Sequence, residues 1–277
     1  MTLDVLFIEV RVINLKIIVL AENTSEYKNL GCEHGLSLYI ETAKHRILFD
    51  TGQSELFSIN AKKLGVDLSK VDIAVLSHGH YDHSGGLRRF LELNDHAPIY
   101  MHRRAPEPHY NGTEKYIGID PALTASSRIV YTDDALDLGG GLRLCTCNAQ
   151  IADCPASARG MTVQIGQDYI QDSFEHEQYL IIEENSRRIV VSGCSHKGIL
   201  NIVRWLAPDV LIGGFHFMKL DPAGQDRAYL ESAAAELLVH DCLYFTGHCT
   251  GEAPFAFLKG VMGDRLQPIH AGTTLTI

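Results

Sequence analysis

The sequence predicts an α/β fold in which sheet strands and amphipathic helices alternate, and three observations carry that prediction. From Tyr179 onward, short β-branched runs alternate with helix-patterned stretches: YLIIEE, RRIVVSG, GILNIVRWLA, DVLIGGFHF, RAYLESAAAELLVHD and LYFTGHCTG. That succession is the signature of strands joined by crossover helices. In the first third, strand-like runs end at turn residues, as HRILF does at Asp50-Thr51-Gly52, the pattern of sheet edges feeding loops. Finally, 45% hydrophobic and 21% charged residues over 277 positions provide a large core and exclude a disordered chain.

Taken in order, Leu15 to Leu20, Gly35 to Glu41 and His45 to Phe49 read as strands. Ser54 to Gly65 reads as a helix, with Ser54 as N-cap and Gly65 as the stop. Asp72 to Ser77 (DIAVLS) is a short apolar run of the kind buried on both faces. It delivers the chain into His78-Gly79-His80-Tyr81-Asp82-His83, and Ser84-Gly85-Gly86 then opens the helix LRRFLELN. The segment from about 98 to 173 is less regular. Beyond the strand-like PIYMHR and a turn at Gly139 to Gly141, it reads as loops and edge strands shaping a pocket. No internal repeat or low-complexity linker divides the chain, so residues 1–277 are expected to form one domain.

Composition narrows the function classes. Lys plus Arg number 24 against 34 Asp plus Glu, a net charge of −10. A surface built to grip nucleic-acid backbones is not expected, although a small anionic substrate in a local pocket is compatible. No run of about 18 apolar residues occurs, so no membrane span is expected. The apolar N-terminal stretch is broken by Asp4, Glu9, Arg11 and Lys16 and lacks a secretory cleavage pattern. Seven Cys at 32, 145, 147, 154, 194, 242 and 249 follow no framework spacing, which fits reduced thiols in a cytoplasmic protein. The uneven CTC at 145 to 147 with Cys154 is a poor cluster-binding motif. No Walker loop or strand-linked GxGxxG is present.

His78, His80, Asp82 and His83 lie within six residues after a buried strand. Imidazoles at i and i+2 of an extended segment point the same way, while the adjacent Asp and His can serve a second position. Imidazole nitrogen and carboxylate oxygen suit zinc, with iron or manganese as alternatives. Four ligand-type residues exceed what one open catalytic ion takes, so two ions sharing a water use them better.

LSHGHYDHSGGL resembles the HxHxDH signature of the metallo-β-lactamase superfamily, and Asp50 in LFDTG resembles its first motif. The resemblance implies a four-layer αββα sandwich over nearly the whole chain, with metals at the sheet edge. AENTS at 21 to 25, GCSHKGI at 193 to 199, GGFHF at 213 to 217 and GHCTG at 247 to 251 are similar to a narrower branch. That branch includes the dihydropterin ribofuranosylaminobenzene phosphate synthases. The resemblance implies that His78, His80 and His196 hold one divalent ion and Asp82, His83 and His248 the other. A hydroxide between them would be the nucleophile, with Asp82 as catalytic proton acceptor.

One departure stands out. Most of the superfamily carries a bridging Asp where this chain has Cys194. Either Cys194 ligates as a thiolate, or it is a small core residue, the bridge is hydroxide alone and His196 takes over. His216 faces the metals or substrate, or is a buried His bonded to a carbonyl. His176 stands where many members place their third motif, but Glu175 and Glu177 suggest a solvated loop. Asp50 is expected to orient a ligand rather than bind metal. His34, His45, His96, His102, His109, His240 and His270 lack partner spacing and default to structural or surface roles.

The expected function is a metal-dependent hydrolase or related transferase acting on a small, phosphorylated or pterin-like substrate. The alternative is a non-catalytic metal-binding or ligand-sensing protein on the same fold. Flavodiiron oxidoreductases usually carry Glu where this chain has His80, and they append a flavin-binding domain.

Overall fold

The computed structural model describes residues 15–150 and 158–277. The chain enters through strands β1 (Lys16–Ala21), β2 (Ser37–Glu41) and β3 (Arg46–Phe49), then passes helix α1 (Leu56–Lys63) to β4 (Ile73–Val75). Helices α2 (Tyr81–Ser84) and α3 (Leu87–Leu93) lead to β5 (Ile99–His102). The middle of the chain supplies β6 (His109–Asn111), β7 (Lys115–Tyr116), β8 (Ile129–Thr132), β9 (Ala135–Gly139), β10 (Leu142–Cys145), β11 (Met161–Ile165) and β12 (Asp168–Gln171). After β13 (Tyr179–Glu184) and β14 (Arg187–Val191) come α4 (Ile199–Leu206), β15 (Val210–Ile212), α5 (Arg227–Val239) and β16 (Leu243–Thr246). The last elements are α6 (Glu252–Met262), β17 (Leu266–Pro268) and β18 (Thr274–Thr276).

Two seven-stranded sheets result, ordered β18-β1-β2-β3-β4-β5-β8 and β17-β16-β15-β14-β13-β10-β9. Each combines antiparallel hairpins with a parallel run, β3-β4-β5-β8 in one and β14-β15-β16-β17 in the other. The period-2 alternation of side chains explains the layering. In β1, Ile17 and Val19 point into a core between the sheets, with Leu38, Ile47 and Phe49 against Leu144, Leu180, Val191 and Ile212. Their neighbours Ile18 and Leu20 face the opposite way, onto Phe57 and Ala61 of α1 and Phe90 of α3. The second sheet turns Ile181, Val190 and Leu211 toward Ile202 and Val203 of α4 and Leu230 of α5. Helices, sheet, sheet and helices therefore stack as the expected αββα sandwich.

The helix expected over Ser54 to Gly65 is shorter, and Glu55 is its N-cap residue. Ser54 Oγ still accepts the Leu56 N–H at 3.1 Å, and Gly65 takes the left-handed conformation after the last turn (φ 73°), which Gly tolerates best. The segment 98–173 is more regular than expected. It extends both large sheets through β5, β8, β9 and β10, and it builds a separate four-stranded sheet ordered β12-β11-β6-β7. Strand β7 is two exposed residues and β9 runs five residues into a Gly-rich turn, with only Leu136 and Leu138 facing the core, which is why they read as loop. The opening residues through 14, and Cys154, lie outside the described residues. Among the described residues, no helix is long and apolar enough to cross a membrane.

Candidate metal centre

Strand β4 delivers His78 and His80 to the edge of the first sheet, and α2 turns Asp82 and His83 toward them. The loop after β14 brings Cys194 and His196, and the turn after β16 brings His248. The backbone is forced here: Asp50, Ser195, His216 and His248 all have positive φ, between 50° and 59°. Such conformations cost of order 1–3 kcal/mol each outside Gly and persist where surroundings over-determine them. Two glycines are required by close approach. A Cβ on Gly79 would lie 2.2 Å from the Ala105 carbonyl oxygen, and one on Gly193 would lie 2.3 Å from Ser77 Oγ.

His78, His80, Asp82, His83, Cys194, His196 and His248 are all buried and fall into overlapping groups of ligand-type atoms. One group is His78, Cys194 and His196, and another is Asp82, His83, Cys194 and His248. Three rings have Nδ1 tied by a neighbour. Ser77 Oγ lies 2.8 Å from His78 Nδ1, Asp50 Oδ2 lies 2.6 Å from His83 Nδ1, and Asn23 Oδ1 lies 2.9 Å from His248 Nδ1. Their Nε2 atoms converge instead. His78 Nε2 faces His196 Nε2 at 3.3 Å, His83 Nε2 faces Cys194 Sγ at 3.1 Å, and His248 Nε2 faces Asp82 Oδ2 at 3.4 Å. Tying one ring nitrogen so that the other points inward is how proteins set the tautomer of a metal ligand.

Asp50 holds the arrangement together without joining it. Its carboxylate accepts from the Ser77 N–H and Ser77 Oγ, both at 2.7 Å, besides its contact with His83. Burial pushes the imidazoles of His78, His80 and His196 well below the usual His range, and neighbouring rings add to it. His248 is lowered by burial too. Neutral imidazole is the ligating form. Burial would raise Asp82, but His83, His248 and His34 outweigh it and hold the carboxyl well below its ordinary value. For His83 burial opposes charge, yet Asp50 and Asp82 together push it up. Burial and Cys249 push the Cys194 thiol well up; a bound cation reverses that preference by taking the thiolate.

Cys194 is buried and belongs to both groups, its Sγ 3.1 Å from His83 Nε2. His216 lies beside the centre, its ring 4.5 Å from that of His196. His176 is not on a solvated loop. It is buried behind His78 and His80, accepting the Gly79 N–H on Nδ1 at 2.9 Å and facing Asp172 with Nε2 at 3.2 Å. Glu177 is buried as well, accepting the backbone N–H groups of His196 and Lys197 at 2.6 and 3.0 Å.

Two histidines assigned to background roles belong here. His34 Nε2 lies 3.3 Å from Asp82 Oδ2, and His109 Nδ1 lies 2.7 Å from Asp172 in the group behind His80. Neither belongs to the clustered His motif, and the fold brings them in: Asn23 of the AENTS stretch contacts His34 at 3.4 Å, and Asp172 holds His109. Asp82 is 11% exposed and His34 39%, so the centre opens to solvent on that side. A cavity of about 240 Å³ adjoins it, lined by Asn23, Thr24, His248, Glu252 and Phe255 among others. A larger hollow of about 410 Å³ beside α1 and α3 touches none of these residues. Arg88 and Arg89 are occupied by Asp120 and Glu92 at 2.8 and 2.7 Å, as a solvated helix face.

The fold and this convergence of imidazoles define the class: the chain belongs to the metallo-beta-lactamase superfamily, whose family model matches residues 30–145. Over 95% of its length it is 31% identical to a 7,8-dihydropterin-6-methyl-4-(beta-D-ribofuranosyl)-aminobenzene-5'-phosphate synthase of Methanocaldococcus jannaschii, covering 96% of that protein. A solved metal-dependent hydrolase of the beta-lactamase superfamily superimposes with a TM-score of 0.79 at 28% identity, over 95% of this chain and 99% of that one. An anaerobic nitric oxide reductase flavorubredoxin of Vibrio vulnificus is 27% identical over 44% of this chain, which spans 22% of that protein.

Proposed function

We propose that the protein is a metal-dependent enzyme that carries out hydrolysis or a related transfer on a small, phosphorylated or pterin-like substrate. The observation that carries this reading is the inward convergence of Nε2 atoms, with Nδ1 tied by a neighbour in His78, His83 and His248. His78 Nε2 and His196 Nε2 lie 3.3 Å apart, the spacing of two ligands on one tetrahedral ion, and His80 Nε2 beside them is buried with no hydrogen-bond partner. The donor set fits two divalent ions, zinc in the first instance with iron or manganese as alternatives. His78, His80 and His196 would hold one, and Asp82, His83 and His248 the other, with Cys194 between. When bound, such ions polarise a carbonyl or phosphoryl oxygen and lower the pKa of water from 15.7 to about 7.

The chain's own residues do the rest. Ser77, Asp50 and Asn23 fix the ring directions of His78, His83 and His248. Asp82 faces the open side beside His34, where its carboxylate can take a proton from a reacting group. The cavity beside His248 offers Phe255 as an apolar wall for a flat ring. The similarity to the pterin-phosphate synthase supports that substrate class.

The test is elemental analysis of purified protein, with phosphodiester, lactone and pterin-phosphate substrates screened before and after chelation. Two ions with chelator-sensitive turnover are expected. Bound ions without turnover on any substrate would favour the ligand-sensing alternative, and a protein without bound ions would overturn both. Cys194→Ser is expected to lower metal content less than His196→Ala; the opposite order would make the thiolate the stronger anchor.

A further inference from the structure

The Cys-Thr-Cys motif at the end of β10 plays no part in the proposed reaction, yet it is held in a defined geometry. Cys145 ends the strand and Cys147 turns back with a positive φ of 60°, and Cys145 Sγ and Cys147 Sγ approach to 3.9 Å. Both are free thiols and only partly buried, so small molecules can reach them. The turn between them is fastened at several points. Thr146 donates its N–H to the Asp134 carbonyl at 2.9 Å and its hydroxyl to Asp134 Oδ1 at 3.0 Å. Asn148 donates to Asp134 Oδ1 at 3.1 Å and to the Glu175 carbonyl at 3.0 Å.

A cation stands under the same turn. Lys197 Nζ donates to the Thr146 carbonyl at 2.7 Å and to Asn148 Oδ1 at 2.6 Å, so its charge is fixed against the residues flanking the sulfurs. The hydrogen bond from Cys145 lowers the Cys147 thiol, burial and Glu177 oppose that, and Lys197 and Arg143 add to it. The same bond and burial push Cys145 up. Either sulfur can donate in this contact, and Lys197 and Arg143 favour the thiolate of the pair, the form that attacks in thiol–disulfide exchange.

We propose that Cys145 and Cys147 form a redox-active dithiol that exchanges with low-molecular-weight disulfides and closes into an intrachain disulfide. The Cys147 thiolate attacks one sulfur of the disulfide RSSR, the S–S bond breaks, and one RS⁻ leaves. Cys145 then gives its proton to that thiolate and attacks Cys147 Sγ, releasing the second RS⁻, which is protonated by solvent. The protein dithiol loses two electrons and the small disulfide is reduced to two thiols. A native disulfide needs an S–S distance of about 2.05 Å, so the sulfurs close by about 2 Å within a turn that already aligns them.

The experiment incubates the whole protein with oxidised glutathione, traps remaining thiols with an alkylating reagent, and maps the digested peptides by mass spectrometry. The expected result is a peptide spanning Cys145 and Cys147 that is two hydrogens lighter and resists alkylation until reduced. Cys145→Ser should leave a stable glutathione adduct on Cys147, and Cys147→Ser should slow glutathione capture at Cys145 by at least about tenfold. In the unmodified sequence, a persistent adduct on Cys147 without the internal link would overturn the proposal. So would pairing of either sulfur with Cys154, or a dithiol that stays fully alkylatable.

Discussion

At the residue scale, the centre is defined by which nitrogen of each imidazole is occupied. His248 has Nδ1 held by Asn23 and Nε2 turned to Asp82, while His80 is fully enclosed among His78, His176 and His196. Neither side chain carries the hydrophobic core. His80→Ala and His248→Ala are therefore each expected to lower bound metal by at least about tenfold while leaving the far-ultraviolet circular dichroism unchanged. Full metal retention in both variants would remove these residues from the centre. His176 acts differently. Burial holds its imidazole down to about 4, aided by His109, below the ordinary value of 6.5. A His depressed in the folded state binds its proton more readily when unfolded. Its contribution to stability is present above pH 6.5 and is lost as pH falls toward about 4. Metal-free protein is expected to lose stability to urea across that window, and His176→Gln to show a flatter slope; equal slopes would contradict the assignment.

At the scale of elements, short strands terminate in turns that no ordinary side chain could occupy. Gly193 ends the run after β14 where Ser77 crosses behind it, with room for hydrogen but not for a methyl group. Gly193→Ala would force Ser77 from its hydrogen bonds to Asp50, and overpacking of this kind costs about 1–3 kcal/mol. We expect a lower urea midpoint together with reduced metal content, since Ser77 also fixes His78. Unchanged values for both would show that the loop can shift freely. The sequence made the strand ends legible here, because apolar runs stop abruptly at Gly and Ser. It did not make the geometry of the middle segment legible. Strand β9 alternates Leu136 and Leu138 against exposed neighbours, but over five residues beside Gly139 to Gly141 the pattern is too brief to separate from a turn. The sequence also leaves α6, β17 and β18 unmarked, since Pro254 and Gly260 interrupt the helical pattern of α6 and the two strands have three residues each.

At the scale of the whole molecule, two sheets share one apolar layer while helices cover their outer faces. Phe49 sits in that shared layer, fully buried with Ile47 and Val75 against residues of the second sheet, one position before Asp50. Phe49→Ala is expected to cost about 3–5 kcal/mol by denaturant unfolding, more than any substitution at the centre itself. A loss below about 1 kcal/mol would mean that the layer collapses around the gap. The architecture also explains the centre's position. Both sheets run their parallel strands toward one edge, so loops after β4, β14 and β16 meet there although they are far apart in sequence.

The sequence by itself determined the alternation of strands and helices, through local periodicity, and the His78–His83 cluster, through ligands spaced within one turn; the family and the sandwich followed from the resemblance of its motifs. The distal His196 and His248 stand at strand ends, and the resemblance to the superfamily singled them out. Only the tertiary structure decided that Cys194 lies between the two groups, that His176 bonds Gly79 behind the centre, and that His34 and His109 join it. Those facts rest on which loops a twisted pair of sheets brings together, and on which nitrogen each ring has left after its neighbours are satisfied. Neither is encoded in spacing along the chain, since a single residue such as Asp50 can tie three groups only after the core has folded around it.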